Sequence, residues 1–178
     1  VMGLERAAQA LGPAGLSRAL RAKDAKLRRA AIAAAPYAQQ PWTLRRTLLS
    51  ISAGTTSEAL EAARSLRHVV EGLRPSILAR HEEHPSRFAP MMAALLRRAG
   101  DKSRRLDLRE ADLRIAAALA NLVAVPRSAR QLLKAATARV RVAAVELFAG
   151  QPTRSLQPGV LARVLLEDPF ATVRRAAA

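Results

Sequence analysis

Thirty basic against fourteen acidic side chains in 178 residues leave a net charge of +16 and a pI near 11.8. No cysteine is present, which excludes a disulfide framework, thiol chemistry and a cysteine metal site. Half the residues are hydrophobic but only 3% are aromatic; alanine and leucine supply most of the apolar surface, strand-favouring residues are sparse, and the composition predicts an all-α chain.

Along the chain, proline and glycine recur at short intervals, from "GPAG" at 12–15 through Pro36, Pro41, Pro75, Pro85, Pro90, Gly100 and Pro126 to Pro169. The segments between them have the length of ordinary globular helices, so the pattern predicts about 10–12 short helices and no strand. Between Arg18 and Arg29 lie Arg18, Arg21, Lys23, Lys26, Arg28 and Arg29 against the single acid Asp24. Next comes "PYAQQPW", Pro36 to Trp42, the one cluster of rings. Thr55 with Glu58, and Asp107 with Glu110, have the spacing of capping boxes that open helices. An irregular middle is expected over about 75–106. It holds "ARHEEHPS", in which His81 and His84 flank two glutamates. Zinc-protease spacing is absent there and Pro85 follows at once, so a solvated helix end is the simpler reading.

From Leu113 to Val125 the chain is apolar almost all round, which requires cover by neighbours on several sides. Pro126 is placed to open the next helix, on which Arg127, Arg130 and Lys134 would share one face, with Arg139 in the following turn. No acid occurs from Leu113 to Val145. In "TARVRVAAVELFAG", Val140, Ala143, Ala144, Leu147 and Phe148 form one buried stripe. The chain ends on a second version, "EDPFATVRRAAA".

An apolar residue followed by arginine recurs at Leu27-Arg28, Leu66-Arg67, Leu113-Arg114, Val140-Arg141 and Val173-Arg174. "DPFATVRRAAA", "ATARVRVAAVEL" and "KDAKLRRAAIAA" resemble the second helix of a HEAT repeat: a turn, an apolar-Arg pair, then alanines. The resemblance implies a right-handed α-solenoid of stacked antiparallel helix pairs over residues 1–178, a single helical-repeat domain. It further implies that Arg28, Arg114, Arg141 and Arg174 bond across to a neighbouring unit and are structural. The opening on Val1 and the close on "VRRAAA" read as a piece of a longer protein.

No nucleophile elbow, phosphate-cradling glycine loop or dinucleotide fingerprint occurs, so a non-enzymatic chain without cofactor, metal or small-molecule substrate is expected. The missing acids favour a polyanionic partner. The reading is a basic scaffold that binds RNA or docks within a ribonucleoprotein, among other proteins of a larger assembly. Candidate contacts are Arg18, Arg21, Lys23, Lys26, Arg127, Arg130, Lys134 and Arg139. So few rings argue against single-strand stacking and for backbone or shape contact with structured RNA. The alternative is a HEAT-type adaptor gripping an acidic or amphipathic protein, and a helical-repeat glycosylase using Trp42 is the distant third. The longest apolar run, Ile115 to Val125, is about half the ~20 residues a bilayer span needs. A soluble intracellular protein of the cytoplasm or a mitochondrial or other organellar matrix is therefore expected, with no membrane partner.

Overall fold

A kink introduces the first helix. In the computed structural model, which describes residues 2–81, 84–150 and 159–178, α1 runs over Met2–Ala19 and is broken at Gly12 (φ 60°, ψ 176°). Side-chain-bearing residues rarely adopt that φ, and Pro13 next to it has no amide to continue the helix ladder. α2 (Ala25–Ala34) is started by Asp24, whose carboxylate accepts from the amides of Lys26 and Leu27. Two 3-10 turns follow, Ala35–Tyr37 and Pro41–Leu44, and then α3 (Arg45–Ser52) and α4 (Ser57–Glu71). Together these make one compact unit, Val1–Leu73. Its core holds Leu16, Leu20, Ile32, Trp42, Leu48, Leu66 and Val70. Trp42 is buried there, which makes it a packing residue of the turn before α3. Ala59, Ala62 and Ala63 keep α4 short-sided where it meets α2 and α3. The close approach lets Ser65 Oγ donate to the Ile32 carbonyl oxygen at 2.7 Å.

The second unit, Arg74–Ala178, contains α5 (Pro75–Arg80), α6 (Ala89–Gly100), α7 (Leu106–Leu119), α8 (Ala138–Ala149), α9 (Val160–Glu167) and α10 (Ala171–Ala177). Short 3-10 helices occupy Pro85–Phe88 and Arg127–Lys134. α7 packs against both α6 and α8, and α8 packs in turn against α10. The expected stripe of α8 is buried throughout: Val140, Ala143, Ala144, Leu147 and Phe148 all lie in the core, and Val145 joins them. Each such large side chain contributes about 1.5–3 kcal/mol of burial. At the end of α8, a Cβ on Gly150 would stand 3.2 Å from the Ala117 carbonyl oxygen of α7, so glycine permits the two helices to approach there.

Among the described residues every regular element is a helix, as the composition predicts. Three local expectations change. Residues 75–106 include α6, a regular helix of twelve residues, because Met91, Met92, Leu95 and Ala99 supply a full apolar stripe despite the flanking prolines. Neither capping box forms. Thr56, not Thr55, caps α4, and Glu58 is drawn away to Arg28. Asp107 lies inside the first turn of α7 and binds Arg105, while Glu110 pairs with Arg114 and Arg139. Arginine outcompetes the cap where it offers a charged partner.

A buried ion-pair cluster inside the second unit centres on Asp112, which is fully buried in α7. Arg98 reaches one of its oxygens at 2.6 Å and Arg104 the other at 3.0 Å. Burial pushes the Asp112 carboxyl up and the Arg98 guanidinium down, each against the attraction of the other. Removing Asp112 takes the shared counter-charge from two largely buried guanidinium groups, so Asp112→Ala should cost about 3–5 kcal/mol in urea unfolding; a loss within about 1 kcal/mol would show the triad to be dispensable.

Candidate nucleic-acid interface

The basic residues divide into those with a bound guanidinium and those left to face solvent. In the first class, Arg28, Arg141 and Arg174 are each the fourth residue of their helix, α2, α8 and α10. Each turns its Nη1 back to the carbonyls where the preceding segment ends. Arg28 donates to Ala22 and Lys23 at 2.8 Å. Arg141 donates to Ala135 and Ala136 at 2.7 and 3.1 Å, and Arg174 to Asp168 at 2.7 Å. The outer edge of two of them, Nε and Nη2, takes a carboxylate in a two-point clasp. Glu58 of α4 clasps Arg28, and Asp168 clasps Arg141. Hydrogen bonds from these arginines hold both carboxyls below their ordinary range. Arg109 repeats the backbone half of the motif: it is the fourth residue of α7, and its Nε donates to the Ala99 carbonyl at the end of α6, at 2.8 Å. Arg67 and Arg114 pair instead with acids on their own helices, Glu71 and Glu110. Their sequence likeness to the other three does not extend to the same contact.

Of the eight candidates, all but Arg139 fall in the second class. Arg18, Arg21, Lys23 and Lys26 are exposed around the turn joining α1 to α2, in the first unit. Arg127, Arg130, Lys134 and Arg139 belong to the second. Arg127, Arg130 and Lys134 do not form one helical face. Residues Arg127–Lys134 wind as a 3-10 helix, Ala129 N–H bonding to Pro126 and Ala135 N–H to Leu132. At three residues per turn, positions seven apart stand a third of a turn from each other, whereas in an α-helix they nearly coincide. Arg130 accordingly lines one groove with Arg141 and Arg163, while Lys134 reaches both that groove and a second one. Arg139 is engaged by Glu110.

This second groove is one-sided in charge. It is about 880 Å³ in volume and lies between α6, the start of α7 and the 3-10 helix. Four cations line it, Arg97, Lys102, Arg109 and Lys134, and among the described residues no carboxylate does. Leu96, Ala129 and Leu132 make an apolar floor; Ser128, Gln131 and Thr137 add polar groups. The loop that presents Lys102 is folded by Asp101, which accepts from Ser103 N–H and Oγ at 2.9 and 2.7 Å. That bonding pulls the Asp101 carboxyl down and keeps it ionised within its own turn. Of the four cations only Lys134 was marked by its charge cluster. Arg97, Lys102 and Arg109 were hidden because Asp101, Asp107 and Glu110 interrupt the same stretch of sequence.

In "ARHEEHPS", Glu82 and Glu83 fall outside the described residues. His84 Nδ1 stands 2.7 Å from Ser86 Oγ and accepts from the Ser86 amide, capping the 3-10 turn. Among the described residues no cluster of three or more His, Asp or Glu side chains has metal-site geometry, and no helix is long and apolar enough to cross a membrane. No family model, curated protein or solved structure matches the chain.

Two outcomes follow from the pairing of charges. Glu58 and Asp168 have folded-state pKa values below their unfolded ones, so the unfolded chain binds more protons as pH falls through the ordinary carboxylate range. Stability should therefore be full above that range and decline below it; Glu58→Gln and Asp168→Asn should flatten the decline in acid unfolding curves, whereas unchanged curves would contradict the clasp. And because Arg139 already has a carboxylate, Arg139→Gln should change polyanion affinity by no more than about twofold, against about tenfold for Lys134→Glu.

Proposed function

We propose that the chain is a non-enzymatic HEAT-like scaffold that binds structured RNA through the basic groove of its second unit. The observation that carries the reading is the set Arg97, Lys102, Arg109 and Lys134 around one groove without a carboxylate among the described residues. A phosphate backbone is recognised by such a concentration of cations, through counterion release. Ser128, Gln131 and Thr137 offer hydrogen-bonding groups for sugar hydroxyls, and among the described residues no aromatic ring lines the groove to stack a base. The exposed cations Arg18, Arg21, Lys23 and Lys26 form a second phosphate-contact set in the first unit. The HEAT-like part of the proposal, helix pairs stacked as a solenoid, draws on the contact shared by Arg28, Arg141 and Arg174.

The apolar floor of Leu96, Ala129 and Leu132 favours a second reading, an acidic amphipathic helix lying in the same groove. Salt separates the two. On an RNA duplex, four neutralised phosphates should give a slope of log affinity against log salt near −3 to −4, by analogy with the duplex DNA value. Lys134→Glu or Arg97→Glu should reduce its magnitude by about one. A shallow slope unaffected by either reversal would overturn the RNA reading and leave the adaptor.

A further inference from the structure

One guanidinium in the basic groove differs from the other cations that line it. Arg97, Lys102 and Lys134 are exposed, whereas Arg109 is half-buried in the first turn of α7, with its Nε fixed at 2.8 Å on the Ala99 carbonyl oxygen. A guanidinium anchored in this way has already lost its freedom to swing, so little further ordering is needed when a ligand arrives. The two filled clasps show what such an anchor is used for. Arg28 and Arg141 are each held by backbone carbonyls, and the remaining edge of each grips two oxygens of one carboxylate. Arg109 has the anchor without the clasp: among the described residues nothing accepts from its Nη1 or Nη2. The Asp101 carboxyl, held down first by Ser103 and less by the charges of Arg104 and Arg109, shares no hydrogen bond with the Arg109 guanidinium. With Nε occupied, the Nη1–Nη2 edge is the pair of donors left, and such a pair matches two oxygens of a single anion.

We infer that Arg109 is the phosphate clamp of the groove: its Nη1 and Nη2 take two oxygens of one backbone phosphate of a bound RNA, while Arg97, Lys102 and Lys134 neutralise flanking phosphates by charge alone. Phosphate rather than carboxylate follows from the surroundings. Each filled clasp pairs one carboxylate with one guanidinium. This groove instead gathers Arg97, Lys102 and Lys134 around the open fork, and no carboxylate among the described residues. An occupant with a charge at every link of its backbone balances that set, and a lone side-chain carboxylate does not. The inference rests on the RNA reading of the groove and goes beyond it by assigning the geometric part of recognition to one residue.

A short RNA hairpin, titrated into the full chain across a salt series, is the probe. Arg109→Lys keeps the charge and removes the fork. It should weaken hairpin binding about tenfold at every salt concentration and leave the slope of log affinity against log salt unchanged, because the slope counts neutralised phosphates and not their geometry. Arg67→Lys, a charge-conserving change in the first unit and outside the groove, should stay within about twofold. A second readout uses wild-type chain labelled with 15N at arginine. The Nη signals of Arg109 should separate into distinct lines on saturation with the hairpin, since a two-point clasp hinders rotation about the Cζ–Nη bonds. A purely structural role at the Ala99 junction would leave those signals averaged. Equal affinities of wild type and Arg109→Lys on a slope that stays steep overturn the clamp and leave the RNA reading in place. A shallow slope for the wild type overturns the RNA reading and the clamp with it. Distinct Nη lines already present without RNA would show the fork to be filled by the protein itself and overturn the inference. Distinct lines that form with an acidic amphipathic peptide and not with the hairpin overturn it in favour of the adaptor.

Discussion

The structure depends on an arginine in the fourth position of a helix that reaches back to the end of the segment before it. The last carbonyls of a helix or turn have no amide partner within it, and a guanidinium satisfies them while placing positive charge at the negative end of the dipole. Arg28, Arg109, Arg141 and Arg174 each do this for one junction. Because the guanidinium has a second hydrogen-bonding edge, the same side chain also grips a carboxylate from farther along the chain, as Glu58 and Asp168 show. One side chain thus ties its helix both to the segment before it and to one later in the chain. Lysine, a point charge without a planar fork, could not serve both directions at once.

This use of arginine changes how the charge of +16 is understood. A large part of the basic side chains is committed to carbonyls and to the few available acids, including the buried Arg98–Asp112–Arg104 triad. Of the fourteen acids, Glu58, Glu61, Glu71, Asp107, Glu110, Asp112, Glu167 and Asp168 each hold at least one arginine. What remains exposed is therefore more purely positive than the totals suggest. The groove gathers Arg97, Lys102 and Lys134 from that remainder together with Arg109, whose Nε is held by Ala99, and its field would act on any polyanion that approaches.

The groove combines apolar side chains, Leu96, Ala129 and Leu132, with four cations, an arrangement that would suit a partner recognised by charge density and whose binding would respond steeply to salt.

Much of this was legible in the sequence. Alanine favours the helix locally and apolar stripes at 3.6-residue spacing mark the face to be packed, so the all-helical character, the buried face of α8 and the packing role of Trp42 could be read directly. The special standing of Arg28, Arg141 and Arg174 was visible from their shared neighbours, and the equation of Arg114 with them was not sound, since Glu110 one helical turn away captured it. What only tertiary structure decided is where charges finally point. The 3-10 winding of Arg127–Lys134 split a stripe that an α-helix would have kept together, and that choice depends on burying Ala129 and Leu132. Likewise Arg97, Lys102 and Arg109 joined Lys134 across a groove although acids lie between them in the chain, because those acids were turned into their own pairs. Local spacing determines helices; the competition of each arginine among carbonyls, carboxylates and water is settled only when the elements pack.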